Sequence, residues 1–241
     1  MLSFITCIVI QYCYILETSI EWARRFLCLK RPAEIAYEYI KERILEGTYH
    51  PSQKLIENDL TSEIGVSRNT VMKALLKLEQ ENLVVLEKNK GATIKSFSLH
   101  EIVNYLKIRE VLEGLIGFSA AVKITDDDIK QLENILQKMK EALEYNYFDG
   151  YSEFNIQFHE VIYQASDNQQ AVDMVKIIKQ QLKRLQIKTI LVPGRNDHSL
   201  MEHTNILDAL RKRDPHKVEK QLKEHVANVR STIENNYSFL M

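Results

Sequence analysis

Apolar residues recur at helical rather than strand spacing along most of the chain. The run PAEIAYEYIKERILEGTY carries Ile35, Tyr39, Ile40 and Ile44 three and four residues apart. That spacing predicts an amphipathic helix, closed by Gly47. The segment through Pro51 reads as a turn. Glu57 to Ile64 follows as a short helix ended by Gly65, and Ser67 then caps a third helix with Val71, Leu75 and Leu78 facing inward. Two short helices joined by a tight Gly-containing turn are a helix-turn-helix pattern. Two β-rich runs, LVVLEK and GATIKSF, meet around Asn89, Lys90 and Gly91 and predict a hairpin. Residues 31–95 are therefore expected to form a winged helix-turn-helix.

Beyond this point the pattern is helical to the end. Ser98 and Glu101 have capping-box spacing, and Thr125 precedes Asp126, Asp127 and Asp128, acids suited to a helix's positive end. The next helix carries Ile129, Leu132, Ile135, Leu136, Met139 and Leu143 on one stripe. Further helices are predicted over YFDGYSEFNIQFHEVIYQAS, AVDMVKIIKQQLKRLQIKTIL and, after Pro193-Gly194, SLMEHTNILDALRKR. Asp214-Pro215 supplies an N-cap and a first-turn proline for the last one. Six helices with short loops predict an α-helical bundle over residues 98–236. The fold class is thus mainly α.

The first thirty residues do not match the rest. LSFITCIVIQYCYIL is apolar and uncharged, and at fifteen residues it is shorter than the roughly 20 needed to span a bilayer as a helix. It lacks the basic start and small-residue cleavage site of a signal peptide. A membrane-associating extension, a partner-binding segment and translated sequence upstream of the true start remain open, and we favour the third. No membrane association is expected.

Composition narrows the function. The 241 residues are 45% hydrophobic and 27% charged, with 32 Lys+Arg against 33 Asp+Glu. This is a globular composition without a global basic field, so nucleic-acid binding needs a local patch. Cys7, Cys13 and Cys28 are the only cysteines. A disulfide framework is excluded, and a cytoplasmic protein is expected. Between Pro32 and Lys95 there are nine basic and ten acidic residues, yet from Arg68 onward there are six and three. The patch therefore lies on the third helix and the wing. A helix entering the major groove presents its N-terminal residues to bases and phosphates. Here these are Ser67, Arg68, Asn69 and Thr70, with Lys73 further along and Lys90 at the wing tip. Arg68 suits guanine and Asn69 suits adenine. A helical domain that binds protein, with Arg68 a surface charge, is the competing reading.

In the helical half the chemistry lies in histidines. Asn155 and His159 are four apart on one helix face, while His203 and His225 sit on two later helices. If the helices converge, three imidazoles and an amide oxygen could hold a transition metal such as zinc or nickel. Three unrelated histidines on three helices are the alternative, and His50, His100, His198 and His216 have no role in either. A metal-dependent hydrolase built on the three histidines is the rival function. It lacks the second His of H-E-x-x-H, because Tyr163 stands four after His159.

The stretch ILEGTYHPSQKLIENDLTSEIGVSRNTVMKALLKLEQENLV resembles the DNA-binding domain of the GntR family of bacterial transcription regulators. The EG-x-Y-x-P opening, L-x-E-x-x-L middle and Ser67-Arg68 start of the recognition helix are in register. The resemblance places DNA contacts on Arg68, Asn69, Thr70 and the wing around Asn89 to Gly91. This chain departs from the pattern at Ser52, usually Gly, at Asn69-Thr70, usually Thr-Pro, and at Met72-Lys73, usually Arg-Glu. The second half resembles the FCD ligand-binding domain, with R-x-x-L-E at Arg109 to Glu113 and the histidines at 159, 203 and 225. Asn155 stands where Asp is common. The resemblance implies a homodimer on a pseudo-palindromic double-stranded DNA operator. It also implies a small carboxylate effector, received at a divalent metal and by Arg109. An i,i+4 ion pair with Glu113 is the other reading of Arg109.

Overall fold

The computed structural model describes residues 31–87 and 91–240. The apolar N-terminal run, and the wing-tip positions Lys88, Asn89 and Lys90, lie outside them. The chain divides into two compact units, with the boundary along the sequence between Lys95 and Ser96.

The first unit contains α1 (Pro32–Glu46), β1 (Lys54–Leu55), α2 (Glu57–Ile64), α3 (Arg68–Gln80), β2 (Val84–Glu87) and β3 (Gly91–Ile94). Pro32 opens α1 and Gly47 closes it at φ +91°, a left-handed conformation open to a residue without Cβ. The buried face of α1 is Ala36, Tyr37, Ile40 and Ile44. This corrects the predicted stripe: Ile35 is exposed, and Tyr39 is half-buried with its hydroxyl bonded to Glu63. Val71, Leu75 and Leu78 of α3 complete the core, as their spacing predicts. The wing has a third strand, β1, in a segment whose sequence predicts a turn. The order is β1-β3-β2, with Lys54 opposite Thr93 and Val84 opposite Ile94, all antiparallel. Ser52, just before β1, sits at φ +63°. Glycine adopts that conformation without strain, which accounts for the family's usual residue there.

The second unit contains α4 (Leu99–Lys123), α5 (Asp126–Glu144), α6 (Phe148–Ala165), α7 (Gln169–Thr189), α8 (Arg195–Arg211), α9 (Pro215–Asn235) and the short α10 (Tyr237–Leu240). The helix starts follow the predicted caps. Ser98 and Glu101, and Thr125 and Asp128, form reciprocal capping boxes, and the Asp214 side chain accepts from the Lys217 amide. α8 begins a turn earlier than the sequence suggests, at Arg195 after Gly194. α10 returns Leu240 to the core beside Ile178, Leu182 and Ile233. The larger cluster is built around Phe158, Ile162, Leu132, Met139, Ile206 and Leu222. No helix among the described residues is long and apolar enough to cross a membrane.

The central contact is α4 against α9. Gly114 and Gly117 permit it: a Cβ on Gly117 would run into Leu222 and press on Val218. Gly117→Val is therefore expected to destabilise the second unit by about 1–3 kcal/mol through overpacking. Chemical denaturation of the full chain checks this, and an unchanged midpoint would refute the tight approach.

Candidate functional site

In the first unit, the sequence around α3 explains how its N-terminus is presented. The Ser67 hydroxyl oxygen accepts from the Thr70 amide at 3.2 Å, leaving the following side chains outside the core. Arg68, Asn69 and Lys73 are exposed and Thr70 is half-buried. Arg68 Nε donates to Glu57 Oε2 at 2.6 Å, although the arginine is 73% exposed. Glu57, first residue of α2, thus orients the leading basic side chain of α3. Gly91 starts β3 at φ +88° opposite Glu87.

In the second unit, three helices bring His159 (α6), His203 (α8) and His225 (α9) together. One ring nitrogen from each lies within 4.8 Å of the others, and all three residues are buried. His203 Nε2 and His159 Nε2 are 3.3 Å apart. The other ring nitrogens are turned outward. His203 Nδ1 lies 2.6 Å from the Ser199 carbonyl, which can only accept, so this nitrogen carries the proton. His225 Nδ1 lies 2.7 Å from Glu202 Oε2. Glu202 also receives Arg195 at 3.0 Å and Asn228 at 2.9 Å. Despite burial, these partners hold its carboxyl down to about 2, so it is ionised and accepts. His159 Nδ1 faces Glu113 Oε2 at 3.5 Å.

Burial pushes the imidazoles below their ordinary 6.5, His203 to about 3 and His159 and His225 to about 4. A neighbouring imidazole adds to the effect at His203, while the facing carboxylates oppose it at His159 and His225. Neutral rings with protonated Nδ1 leave three Nε2 lone pairs for the interior of the cluster. Lone pairs this close repel unless a cation or proton lies among them. A carboxylate or carbonyl behind each ring is the arrangement that orients histidines toward metal. Asn155 Oδ1, one turn before His159, is buried with no hydrogen-bond partner. The donor set therefore fits a borderline-soft divalent cation.

A cavity of about 180 Å³ adjoins the cluster. Asn155, His159 and His225 are in its wall, with Arg109, Lys179 and Arg195. Arg109 Nε donates to Glu113 Oε1 at 2.6 Å, and the Tyr163 hydroxyl donates to the same oxygen at 2.9 Å. The Arg109–Glu113 ion pair is thus present and fully buried. The small value of an exposed pair does not apply to it: removing either partner would strand a charge. Arg109 nonetheless faces the cavity. The sequence reading missed Glu202, Arg195 and Lys179. Glu202 lies beside His203 but serves His225 on another helix, which periodicity within α8 cannot reveal. Arg195 was lost with the first turn of α8.

The first unit is a winged helix-turn-helix and the second a helical bundle with a buried polar pocket, the two parts of a ligand-responsive DNA-binding regulator. Bacterial regulatory proteins of the gntR family match residues 32–94, and the FCD domain matches residues 104–228. The chain belongs to the GntR family of transcriptional regulators, with an FCD effector domain. It is 26% identical over 197 residues to the HTH-type transcriptional repressor RspR of Escherichia coli (strain K12), across 82% of this chain and 86% of that protein. It is 33% identical over 135 residues to the gluconate operon transcriptional repressor of Bacillus subtilis (strain 168), across 56% and 54%. Among solved structures, E. coli McbR/YncC has the same fold, with a TM-score of 0.67 at 20% identity over 88% of this chain and 98% of that one.

The depressed imidazoles set a pH dependence. Below about 6.5 the unfolded chain takes up protons that the folded cluster refuses until about 4. Their contribution to stability is thus complete above 6.5 and is lost as pH falls from there toward 4. Glu113 and Glu202, both shifted below the ordinary 4.5, act only at lower pH. The melting temperature of metal-free protein is expected to fall between pH 7 and pH 5, and to fall less in His203→Gln. A flat profile in both would contradict neutral burial.

Proposed function

We propose that this regulator binds its operator as a homodimer, and that a small carboxylate acid in the cavity beside the histidines changes that affinity. The observation that carries the proposal is the convergence of three buried imidazoles, two of which, His159 and His225, line a cavity that also holds Arg109. His159, His203 and His225, with Asn155 Oδ1, would hold a divalent metal such as zinc or nickel. Bound there, the metal would supply positive charge and an open position for the acid's carboxylate. Asn155 contributes an oxygen without the charge of an aspartate, so the imidazoles carry most of the affinity. Arg109, held flat by Glu113, would offer its remaining N–H groups to the same acid.

On the DNA side, Ser67, Arg68, Asn69, Thr70 and Lys73 would contact the major groove, and the wing at Asn89, Lys90 and Gly91 the adjoining backbone. The Glu57–Arg68 pair supports this by presenting the guanidinium away from the core. The homodimer is supported by α4, where exposed Ile108, Val111, Leu115 and Val122 repeat at three-, four- and seven-residue steps. The acid and the operator must influence each other's affinity by the same factor, because coupling is reciprocal. A hydrolase loses support: among the described residues no Asp or Glu lines the cavity, and the nearby Glu113 and Glu202 are engaged behind the histidines.

Two measurements test these assignments. Protein stripped by a chelator and reloaded with zinc should carry one metal per chain by mass spectrometry, with a higher melting temperature than the stripped form. His203→Ala should abolish both effects, and reloaded wild-type protein without metal would defeat the assignment. For DNA, operator sequences are selected from a random pool. Arg68→Ala should then cost about 1–3 kcal/mol and relax the sequence preference. Equal affinity of wild type and variant for every selected site would show that Arg68 reads no base.

A further inference from the structure

The cavity wall carries more positive charge than one carboxylate can answer. Four cations line it: Arg109, Lys179, Lys183 and Arg195. Among the described residues no acid lines it. Two of these charges are answered from behind, Arg109 by Glu113 at 2.6 Å and Arg195 by Glu202 at 3.0 Å. Lys179 and Lys183 have no such partner among the described residues. They are four apart on α7, hence on one face. The acids nearest Lys179 are already engaged, Glu113 with Arg109 and Tyr163, and Glu160 with Lys176 at 3.0 Å. Lys179 Nζ rests 5.2 Å from the Tyr163 ring centroid. Burial, and then the charge of Arg109, lowers its amine to about 8, so an anion placed beside it would relieve a charge the protein leaves unanswered.

Resting on the effector reading above, we propose that the effector is a small dianion. One anionic group faces the histidines and Arg109, and the second is received by Lys179 and Lys183. The cavity is smaller than the roughly 300–1,000 Å³ of sites for drug-sized ligands, which restricts the ligand to a compact acid. A dicarboxylate and a phosphate monoester share this chemistry. The lysines act as specificity determinants: a monoanion of equal length leaves the half-buried Lys179 ammonium unmatched, and the exposed Lys183 adds its charge at the cavity mouth only for a second anionic group.

The test compares butyrate, succinate, malate and glycerol phosphate by calorimetry on the full-length protein, zinc-loaded and chelator-treated. A dianion is expected to bind at least about tenfold tighter than butyrate. Whether succinate and malate or glycerol phosphate binds tighter identifies the second group as carboxylate or phosphate. Lys179→Gln and Lys183→Gln should each erode that ratio, and the double variant should bring it close to one, with butyrate affinity changed less than about twofold. Lys183→Arg should retain the ratio, and circular dichroism checks that every variant is folded. Butyrate and the dianions binding equally to wild type would overturn the dianion inference while leaving the effector cavity intact. So would a ratio that survives in the double variant. No binding of any acid would overturn the effector reading and this inference with it. Chelation should weaken all four acids alike and leave the ratio; affinities unchanged by chelation would sink the metal assignment alone.

Discussion

Three imidazoles buried side by side must place six ring nitrogens among groups that can answer them, and the second unit is organised around that requirement. The Nδ1 protons are sent outward, to the Ser199 carbonyl, to Glu202 and toward Glu113. Each acceptor then needs its own support. Glu202 is held by Arg195 and Asn228, and Glu113 by Arg109 and Tyr163. One constraint at the centre thereby ties α4, α6, α8 and α9 to a common geometry, beyond what apolar packing of the same helices would specify. Buried polar networks of this kind are costly when half-satisfied and specifying when complete. Among the buried atoms left without a hydrogen-bond partner, Asn155 Oδ1 and Arg195 Nη1 belong to residues of the cavity wall, where a ligand would meet them.

The network also links the two ligand-facing surfaces of the pocket. Glu113 touches His159 on one side and Arg109 on the other. Glu202 does the same for His225 and Arg195. An acid that draws on Arg109 therefore bears on a carboxylate that orients a histidine, and metal and acid would be sensed by shared groups. In the first unit a simpler device plays the comparable part: Glu57 of α2 holds Arg68 of α3 without covering it. Both units thus place acids behind basic groups, which face a cavity in the second unit and solvent in the first.

Much of this was legible in the sequence because it is local. Ser67, Ser98, Thr125 and Asp214 are caps that need only their own next turn, and the stop at Gly65 follows from its backbone freedom at φ +74°. The winged helix followed from the spacing of Val71, Leu75 and Leu78 and from two β-rich runs. What failed was non-local or too short to have a period. β1 has two residues and exists through its pairing with β3. On α1, the tertiary environment chose Ala36 and Tyr37 over Ile35 and Tyr39. The histidines were visible as residues, but their meeting depends on three helices and came from the family resemblance. Glu202 gave no signal, because it acts on His225, borne by another helix.

The central claim is the protonation pattern of the histidine cluster, and nitrogen-15 correlation spectroscopy on histidine-labelled, metal-free protein at neutral pH reads it directly. The account predicts that His159, His203 and His225 are neutral with the proton on Nδ1, and that added zinc shifts the three Nε2 resonances while the Nδ1 protons stay. A proton on Nε2 of two or more of these rings, or an imidazolium among them, would contradict it.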